Sequence, residues 1–237
     1  MKLPNLSFEK SLHKKGFRII AGVDEVGRGA FAGPVVAAAV AFAPNSNYQL
    51  PISNKFSKKI IINDSKKLSA KQRGVSDLWI RENAQAYGIG EASVTQINKL
   101  GIKKATEIAF RKAISCLQST DNRRQPNKKT VVGGPLAVDY LLVDAFYIPY
   151  VKGLRRRNQK AIVKGDTKSV SIAAASIIAK VYRDKLMVKL SKQTKFRKYG
   201  WGKNKGYGTK EHREAIKKYG TTTKHRTQFV ESMLKKS

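Results

Sequence analysis

The chain is short of acids, histidine and cysteine, and each shortage removes a class of reading. Among 237 residues there are 16 Asp or Glu, 3 His and a single cysteine, Cys116. One cysteine rules out an intrachain disulfide. It falls in an expected helix and reads as core filler. No grouping of His and Cys suggests a zinc centre. No apolar run approaches the ~18 residues needed to cross a bilayer, which argues against a membrane. The opening MKLPNLSFEKSLHKKG carries no signal-peptide apolar segment, so a cytoplasmic protein is expected. No repeat and no linker-like stretch divides the chain. A basic N-terminal arm over 1–16, either a short leader helix or a loose arm, is expected to precede a single domain over 17–237. A monomer is expected.

Positive charge is what the chain has in excess: 48 Lys and Arg give a formal net charge of +32. A few surplus charges are ordinary solvated surface. An excess this large implies a polyanionic partner, and nucleic acid fits better than a membrane. Hydrophobic residues make up 41% of the chain, enough for the core of one good-sized domain.

Strand-like and helix-like segments alternate along the whole length, which predicts an α/β fold with a helical C-terminal portion. Apolar runs at 17–23, 35–42, 88–94, 140–143 and 160–164 read as strands. Ser69 is a candidate N-cap for a helix reaching about Tyr87, with Gly74 as its weak point. A turn around 98–101 leads to an amphipathic helix over 103–117, with Ala105, Ile108, Ala109, Ala113, Ile114 and Leu117 near one face. Thr167 or Ser169 caps a helix that is apolar around most of 172–179, hence buried on several sides. Polar 44–51, DNRRQPNKKT at 121–130 and the glycine-, aromatic- and lysine-rich 196–209 read as loops. Basic-apolar 55–62 leads into NDSKKL. Helices are expected at 210–219 and from His225.

The organising stretch is FRIIAGVDEVGRGAFAGPVVAAAVAF at 17–42. Its first strand ends on adjacent carboxylates, Asp24 and Glu25. Like charges side by side repel, and partial burial makes their ionised forms costlier, so a bound cation is the simplest relief. Asp144 and Asp166 also stand where apolar strands end, the place where α/β folds assemble their sites. Asp commonly opens turns, but acids are scarce here and recur at this one position. Such a cluster suits a hard divalent ion, Mg²⁺ or Mn²⁺, with places left for water and phosphate. Gly27-Arg28-Gly29-Ala30-Phe31-Ala32 also satisfies a relaxed dinucleotide fingerprint. That fingerprint requires a following helix, whereas Gly33-Pro34 and a β-like run come next. The acids before it would repel a pyrophosphate. The glycines instead suit close approach of backbone amides to a sugar–phosphate chain.

Val23-Asp24-Glu25-Val26-Gly27-Arg28-Gly29 resembles the D-E-x-G-R-G signature of bacterial ribonuclease HII, the type 2 ribonuclease H family. Asp64-Ser65-Lys66-Lys67-Leu68 resembles that family's D-S-K-K-L, and Leu142-Val143-Asp144-Ala145 its strand ending in V-D-A or V-D-G. Lys164-Gly165-Asp166, the following SIAAASIIAKV and Arg183-Asp184 are similar to its K-G-D block and long helix. Gly206-Tyr207-Gly208-Thr209, His212 and His225-Arg226 resemble its G-Y-G-T-x-x-H…H-R ending. Together these cover about 17–229. The resemblance implies a ribonuclease H-like fold, a central mixed sheet of about five strands flanked by helices. It implies metal-dependent hydrolysis of the RNA strand of RNA–DNA hybrids. It also implies cutting 5′ of ribonucleotides embedded in duplex DNA, leaving 5′-phosphate and 3′-hydroxyl ends. It places Asp24, Glu25, Asp144 and Asp166 on the four metal-binding acids, Gly27, Arg28 and Gly29 on the 2′-hydroxyl grip, and Tyr207 on the sugar at the RNA–DNA junction.

The remaining polar residues have plainer readings. Lys66 and Lys67 suit phosphate contacts. Lys180 leans toward substrate, whereas Arg183 reads equally as satisfied surface or substrate contact. Asp139 is a turn residue at a strand entrance, Asp64 is structural or a neighbour of the site, and Asp184 pairs with a local base. His212 and His225 are packing or phosphate-facing residues. The Asp144–Asp166 connection departs from the family pattern: it is longer and carries YIPYVKGLRRRNQ, read as added affinity for nucleic-acid backbone. Two rivals stay open, a non-catalytic nucleic-acid binder and a DNA-cutting enzyme of the same fold. Four retained acids argue against the first, since a pure binder gains nothing from anions facing phosphates.

Overall fold

A strand with apolar residues on both faces has to be covered from both sides. The run VVAAAVA is buried at every position and forms β2 (Val35–Ala41), paired antiparallel with β1 (Ile20–Val26). The structure, a computed structural model, describes residues 3–44, 52–53, 59–119 and 136–235. It builds a five-stranded sheet around this pair. β5 (Ala86–Ala92) lies antiparallel to β2, while β6 (Tyr140–Asp144) and β7 (Gln159–Ile162) continue in parallel beyond β1. The strand order is β5-β2-β1-β6-β7. A separate two-stranded ribbon joins β3 (Ile52–Ser53) and β4 (Lys59–Ile60). The expected loop at 121–130 and nearly all of the polar turn at 44–51 lie outside the described residues.

Helices cover both faces, as alternation along the strands demands. On one side α3 (Val94–Gln118) sets Ala105, Ala109, Phe110 and Ala113 against Ala21, Val23, Val35 and Ala37. On the other, α2 (Ala70–Asn83) and α4 (Val170–Ser191) meet Val36, Ala38 and Val40 through Ile80, Ala174, Ile177 and Ile178. α4 lies directly on β1: a Cβ at Gly22 would come within 2.2 Å of the Ser171 backbone. That contact explains why the all-round apolar helix is buried over its first turns. The C-terminal part comprises α5 (Thr194–Arg197), α6 (Trp201–Asn204), α7 (Lys210–Tyr219) and α8 (Thr227–Leu234). Its own core gathers Phe196, Tyr199, Trp201, Ile216, Val230 and Met233 around Met187 of α4.

Several boundaries differ from expectation for local reasons. Ser69 does cap α2, in a reciprocal capping box with Gln72, but the helix stops at Asn83 because Ala86 is already paired with Ala41. The turn expected around 98–101 is instead the first part of α3. Ser93 and Gln96 form a second capping box there, and the turn survives only as a kink at Gly101 (φ 77°). Two single helical turns interrupt the loop expected at 196–209. Burial of Phe196, Tyr199 and Trp201, each at most 1% exposed, folds this stretch down.

The N-terminal segment is not a loose arm. Its residues 7–14 form α1 (Ser7–Lys14), and the buried Glu9 accepts hydrogen bonds from the Ser169 hydroxyl at 2.6 Å and from the Ser171 hydroxyl and amide at 2.6 and 3.1 Å. Asn5 exchanges backbone hydrogen bonds with Lys168 and Val170. Ser169, rather than Thr167, caps α4.

Candidate active site

Three acids reach one edge of the sheet through the register of its parallel strands. Val23 of β1 is paired with Val143 of β6, so Asp24 and Asp144 each follow one step beyond that pair. Asp144 is paired with Ile162, and Asp166 stands in the 3-10 turn Gly165–Thr167 just past the end of β7. Two non-glycine residues hold left-handed backbone beside these acids, Ala145 (φ 66°) and Lys164 (φ 55°). Such conformations concentrate where a strand end must turn sharply around a functional group. Successive strand residues face opposite sides, so Glu25 meets Asp24 only around the rim of β1.

The carboxylates feel one another. Burial, then the charges of Glu25 and Asp144, raise the Asp24 carboxyl well above its usual range. Burial also raises Glu25, against the opposing charge of Arg28. Asp166 is pushed up to about 6 by burial and by the nearby Asp64 and Asp144. Asp24, Asp144 and Glu25 are each turned to a local partner. Asp24 Oδ1 accepts from the Glu25 amide at 2.7 Å, Asp144 Oδ1 from the Gly165 amide at 2.7 Å, and Glu25 Oε1 from Arg28 Nη1 at 3.3 Å. Asp166 lies near Asp64, whose charge adds to its rise. Accordingly, no three His, Cys, Asp or Glu side chains among the described residues close around one point. Mutually repelling carboxylates take separate donors. The donor set itself fits a hard divalent ion: oxygen only, several charges, and short side chains able to turn.

The Gly27–Gly29 turn leaves β1 beside these acids. Gly27 has φ +90°, and a Cβ there would come within 2.2 Å of Arg183 Nε. Arg28 and Gly29 are exposed. Two fully buried arginines hold the loop that follows. Arg183 donates to the carbonyls of Ala32, Pro34 and Lys205, each at 3.0 Å, and Arg226 to those of Arg28 at 2.8 Å and Gly33 at 3.0 Å. Burial depresses both guanidinium groups, Arg226 to about 9 with Arg183 adding to the effect. Arg226 Nη2 is buried without a hydrogen-bond partner. Among the described residues neither arginine has a carboxylate counter-ion.

A second loop, between α6 and α7, packs on this one and carries Tyr207. Ala30 bridges Tyr207, and the Phe31 and Ala32 amides donate to Gly206. The Tyr207 ring lies 5.2 Å from Arg183 Cζ and 5.6 Å from Lys180 Nζ. Behind it runs a chain of hydrogen bonds: the Thr222 amide to His225 Nδ1 at 2.9 Å, His225 Nε2 to His212 Nε2 at 3.2 Å, and His212 Nδ1 to the Tyr207 carbonyl at 2.9 Å. Trp201 Nε1 also donates to His212 Nε2 at 3.0 Å. These partners fix both rings as neutral, protonated on His225 Nε2 and His212 Nδ1.

The structure thus gathers Asp24, Glu25, Asp144 and Asp166 with Lys66. Burial works to lower the Lys66 ammonium, but the charges of Asp64, Asp166, Asp24 and Asp144 outweigh it and raise it. Lys67 is exposed on the same turn. Lys180 is tied to Asp184 at 2.8 Å, so Asp184 does pair locally. Asp139 accepts from the amides of Arg18 and Ile19 at 2.8 Å, a structural role. Arg183 is neither surface nor free to contact substrate; it is a strut, and so is Arg226. The clue available in the sequence was position alone, one on the longest apolar helix and one beside a histidine.

A five-stranded mixed sheet, acids at the ends of its parallel strands and a strongly basic chain together describe a nuclease of the ribonuclease H-like class. The family model described as Ribonuclease HII matches residues 21–232. The chain is 43% identical to the ribonuclease HII of Clostridioides difficile over 96% of its length and 76% of that protein. It is 44% identical to that of the Wolbachia of Brugia malayi over 97% of its length and 95% of that protein. Among solved structures, the Archaeoglobus fulgidus ribonuclease HII determined in complex with PCNA is similar at 25% identity. Its TM-score is 0.61, covering 89% of this chain and 94% of that one. The chain belongs to the ribonuclease HII family. It is accordingly an endoribonuclease of RNA–DNA hybrids that depends on a divalent metal.

Proposed function

We propose that this enzyme cuts 5′ of ribonucleotides embedded in duplex DNA as well as within RNA–DNA hybrids, leaving 5′-phosphate and 3′-hydroxyl ends. The observation that carries the reading is the gathering of Asp24, Asp144 and Asp166 at the ends of three adjacent parallel strands, with Glu25 beside them. In this reading the four acids hold Mg²⁺ or Mn²⁺. Such an ion, when bound, supplies positive charge to the phosphate and makes water more acidic. The chain's own residues do the rest. Exposed amides at Arg28 and Gly29 face the 2′-hydroxyl, the feature that separates RNA from DNA. Tyr207, backed by His212 and His225, packs against the neighbouring sugar. Lys67 contacts phosphate, while Lys66 also balances the acids when no metal is present. Lys180 supports the Tyr207 ring. A monomeric, cytoplasmic enzyme with one catalytic domain over 17–237 accords with this reading; among the described residues no helix is long and apolar enough to cross a membrane.

The test is cleavage of a duplex carrying one ribonucleotide, beside the same duplex in all-DNA form. The expected result is a metal-dependent nick on the 5′ side of the ribonucleotide and an intact all-DNA control. No nick with either Mg²⁺ or Mn²⁺ overturns the reading. Equal cutting of the all-DNA duplex would favour a DNA-cutting enzyme of the same fold.

A further inference from the structure

The connection between Asp144 and Asp166 is built as a platform. Its inner side is anchored. Ile148 and Val151 are buried, and the Gln159 side chain brackets Ile148 with two hydrogen bonds of 3.0 Å, its Oε1 accepting from the Ile148 amide and its Nε2 donating to the Ile148 carbonyl. Arg111 of α3 donates to the Pro149 carbonyl at 3.0 Å. The outer side presents Tyr147 and Tyr150, 49% and 92% exposed, and the exposed run Arg155, Arg156 and Arg157. Tyr147 and Tyr150 border a cleft of about 490 Å³ shared with Arg156 and Leu154.

Three features distinguish this surface from ordinary solvated residues. A non-glycine residue in left-handed backbone costs roughly 1–2 kcal/mol. Tyr150 holds that conformation (φ 56°) while its ring packs on almost nothing. The three arginines form no ion pair among the described residues; Arg156 lies over the Tyr147 ring at 5.9 Å. Finally, the platform is continuous with the candidate site. Phe146, two residues after Asp144, lies under Arg28 at 5.4 Å, which joins the platform to the Gly27–Gly29 turn.

We propose that residues 146–158 form a second nucleic-acid contact surface, gripping the sugar–phosphate backbone of the duplex arm on one side of the cut. Arg155, Arg156 and Arg157 meet phosphates, and Tyr147 and Tyr150 lay their rings against sugars. Cation forks beside exposed aromatic rings suit a chain of phosphates and sugars, and they read no base sequence. This surface makes the enzyme's hold on substrate one-sided. It rests on the reading of the site as a hybrid nuclease.

The test compares wild type with the triple variant Arg155→Ser, Arg156→Ser, Arg157→Ser, and separately with Tyr150→Ala. Binding to a duplex with one ribonucleotide is measured without divalent metal, so it needs no cleavage. Each neutralised phosphate adds roughly 0.9 to the log–log salt slope, so three add about 2.7. Over a fourfold rise in salt, wild type should therefore lose on the order of 40-fold more affinity than the triple variant. Trimming the duplex from one end, and not the other, should weaken wild type and leave the triple variant unaffected. Tyr150→Ala should weaken binding at every salt concentration with an unchanged slope. Equal slopes and equal flank dependence in wild type and triple variant overturn the proposal, including the case in which the arginines serve an acidic protein. Wild type that binds with the predicted slope but never cuts would refute the catalytic reading and leave this surface standing.

Discussion

Gly29 stands in open space: a Cβ placed there meets nothing within 4 Å. Gly27, two residues earlier, is required by the fold, through φ +90° and the Arg183 side chain against it. The protein itself therefore gives no reason for a glycine at position 29; the proposed approach of a sugar–phosphate chain would supply one. Gly29→Ala should fold with an unchanged melting temperature and lose on the order of 100-fold in kcat/KM on a single-ribonucleotide duplex, the scale of a small misplacement of reacting groups. Gly27→Ala should instead lower the melting temperature. Wild-type kinetics for Gly29→Ala would remove this turn from the substrate. At this scale the acids were legible because they are few and because each follows an apolar strand. Arg183 and Arg226 were not. A guanidinium that folds back onto two or three loop carbonyls has the same letter as one that reaches into solvent, and only tertiary contacts decide between them.

At the scale of elements, start signals were legible wherever a side chain announces them. Ser69 and Ser169 cap the helices that follow. The turn expected at 98–101 was wrong because Ser93 and Gln96 had already started α3, and a glycine with positive φ kinks that helix without ending it. The C-terminal elements depend on contacts no periodicity reveals, above all the buried His212–His225 pair. Burial, and for His225 also the neighbouring ring, lowers both imidazoles, His225 to about 4 from an ordinary 6.5. A histidine depressed in the folded state binds its proton more readily when unfolded. Its stabilising contribution is complete above pH 6.5 and is lost as pH falls toward 4. Between pH 7 and pH 5 the loss from His225 should be about 2 kcal/mol. Asp166, raised to about 6, works in the opposite direction over the same range, so a variant must isolate the histidine. His225→Asn keeps an acceptor for the Thr222 amide and cannot titrate. It should be less stable than wild type at pH 7, but its stability should fall less between pH 7 and pH 5. Parallel pH profiles from urea unfolding would show that the pair does not carry the acid sensitivity.

At the scale of the whole molecule, strand order was the least legible feature. β1 pairs with β6 across more than a hundred intervening residues, and no local pattern encodes that register. The family resemblance implied a central mixed sheet of about five strands and left the order of its strands open. The composition, by contrast, spoke plainly: a net charge of +32 surrounds a few acids set against one another. Those acids work against the fold when no cation joins them. Asp24 is 8% exposed and raised by burial, Glu25 and Asp144, so its ionised form is held at a loss in free energy. Asp24→Asn removes that charge and retains an oxygen for the Glu25 amide. Without divalent metal at pH 8 the variant should therefore melt above wild type, by about 2–4 °C for each kcal/mol of repulsion and desolvation relieved. A ligand that binds only the folded state stabilises it by mass action. Adding Mg²⁺ should thus raise the wild-type melting temperature more than that of the variant and narrow or reverse their order. Thermal melts at rising Mg²⁺ decide this without any activity measurement. A variant that melts below wild type in metal-free buffer, and responds to Mg²⁺ as wild type does, would show that Asp24 is a structural carboxylate and not part of a metal centre.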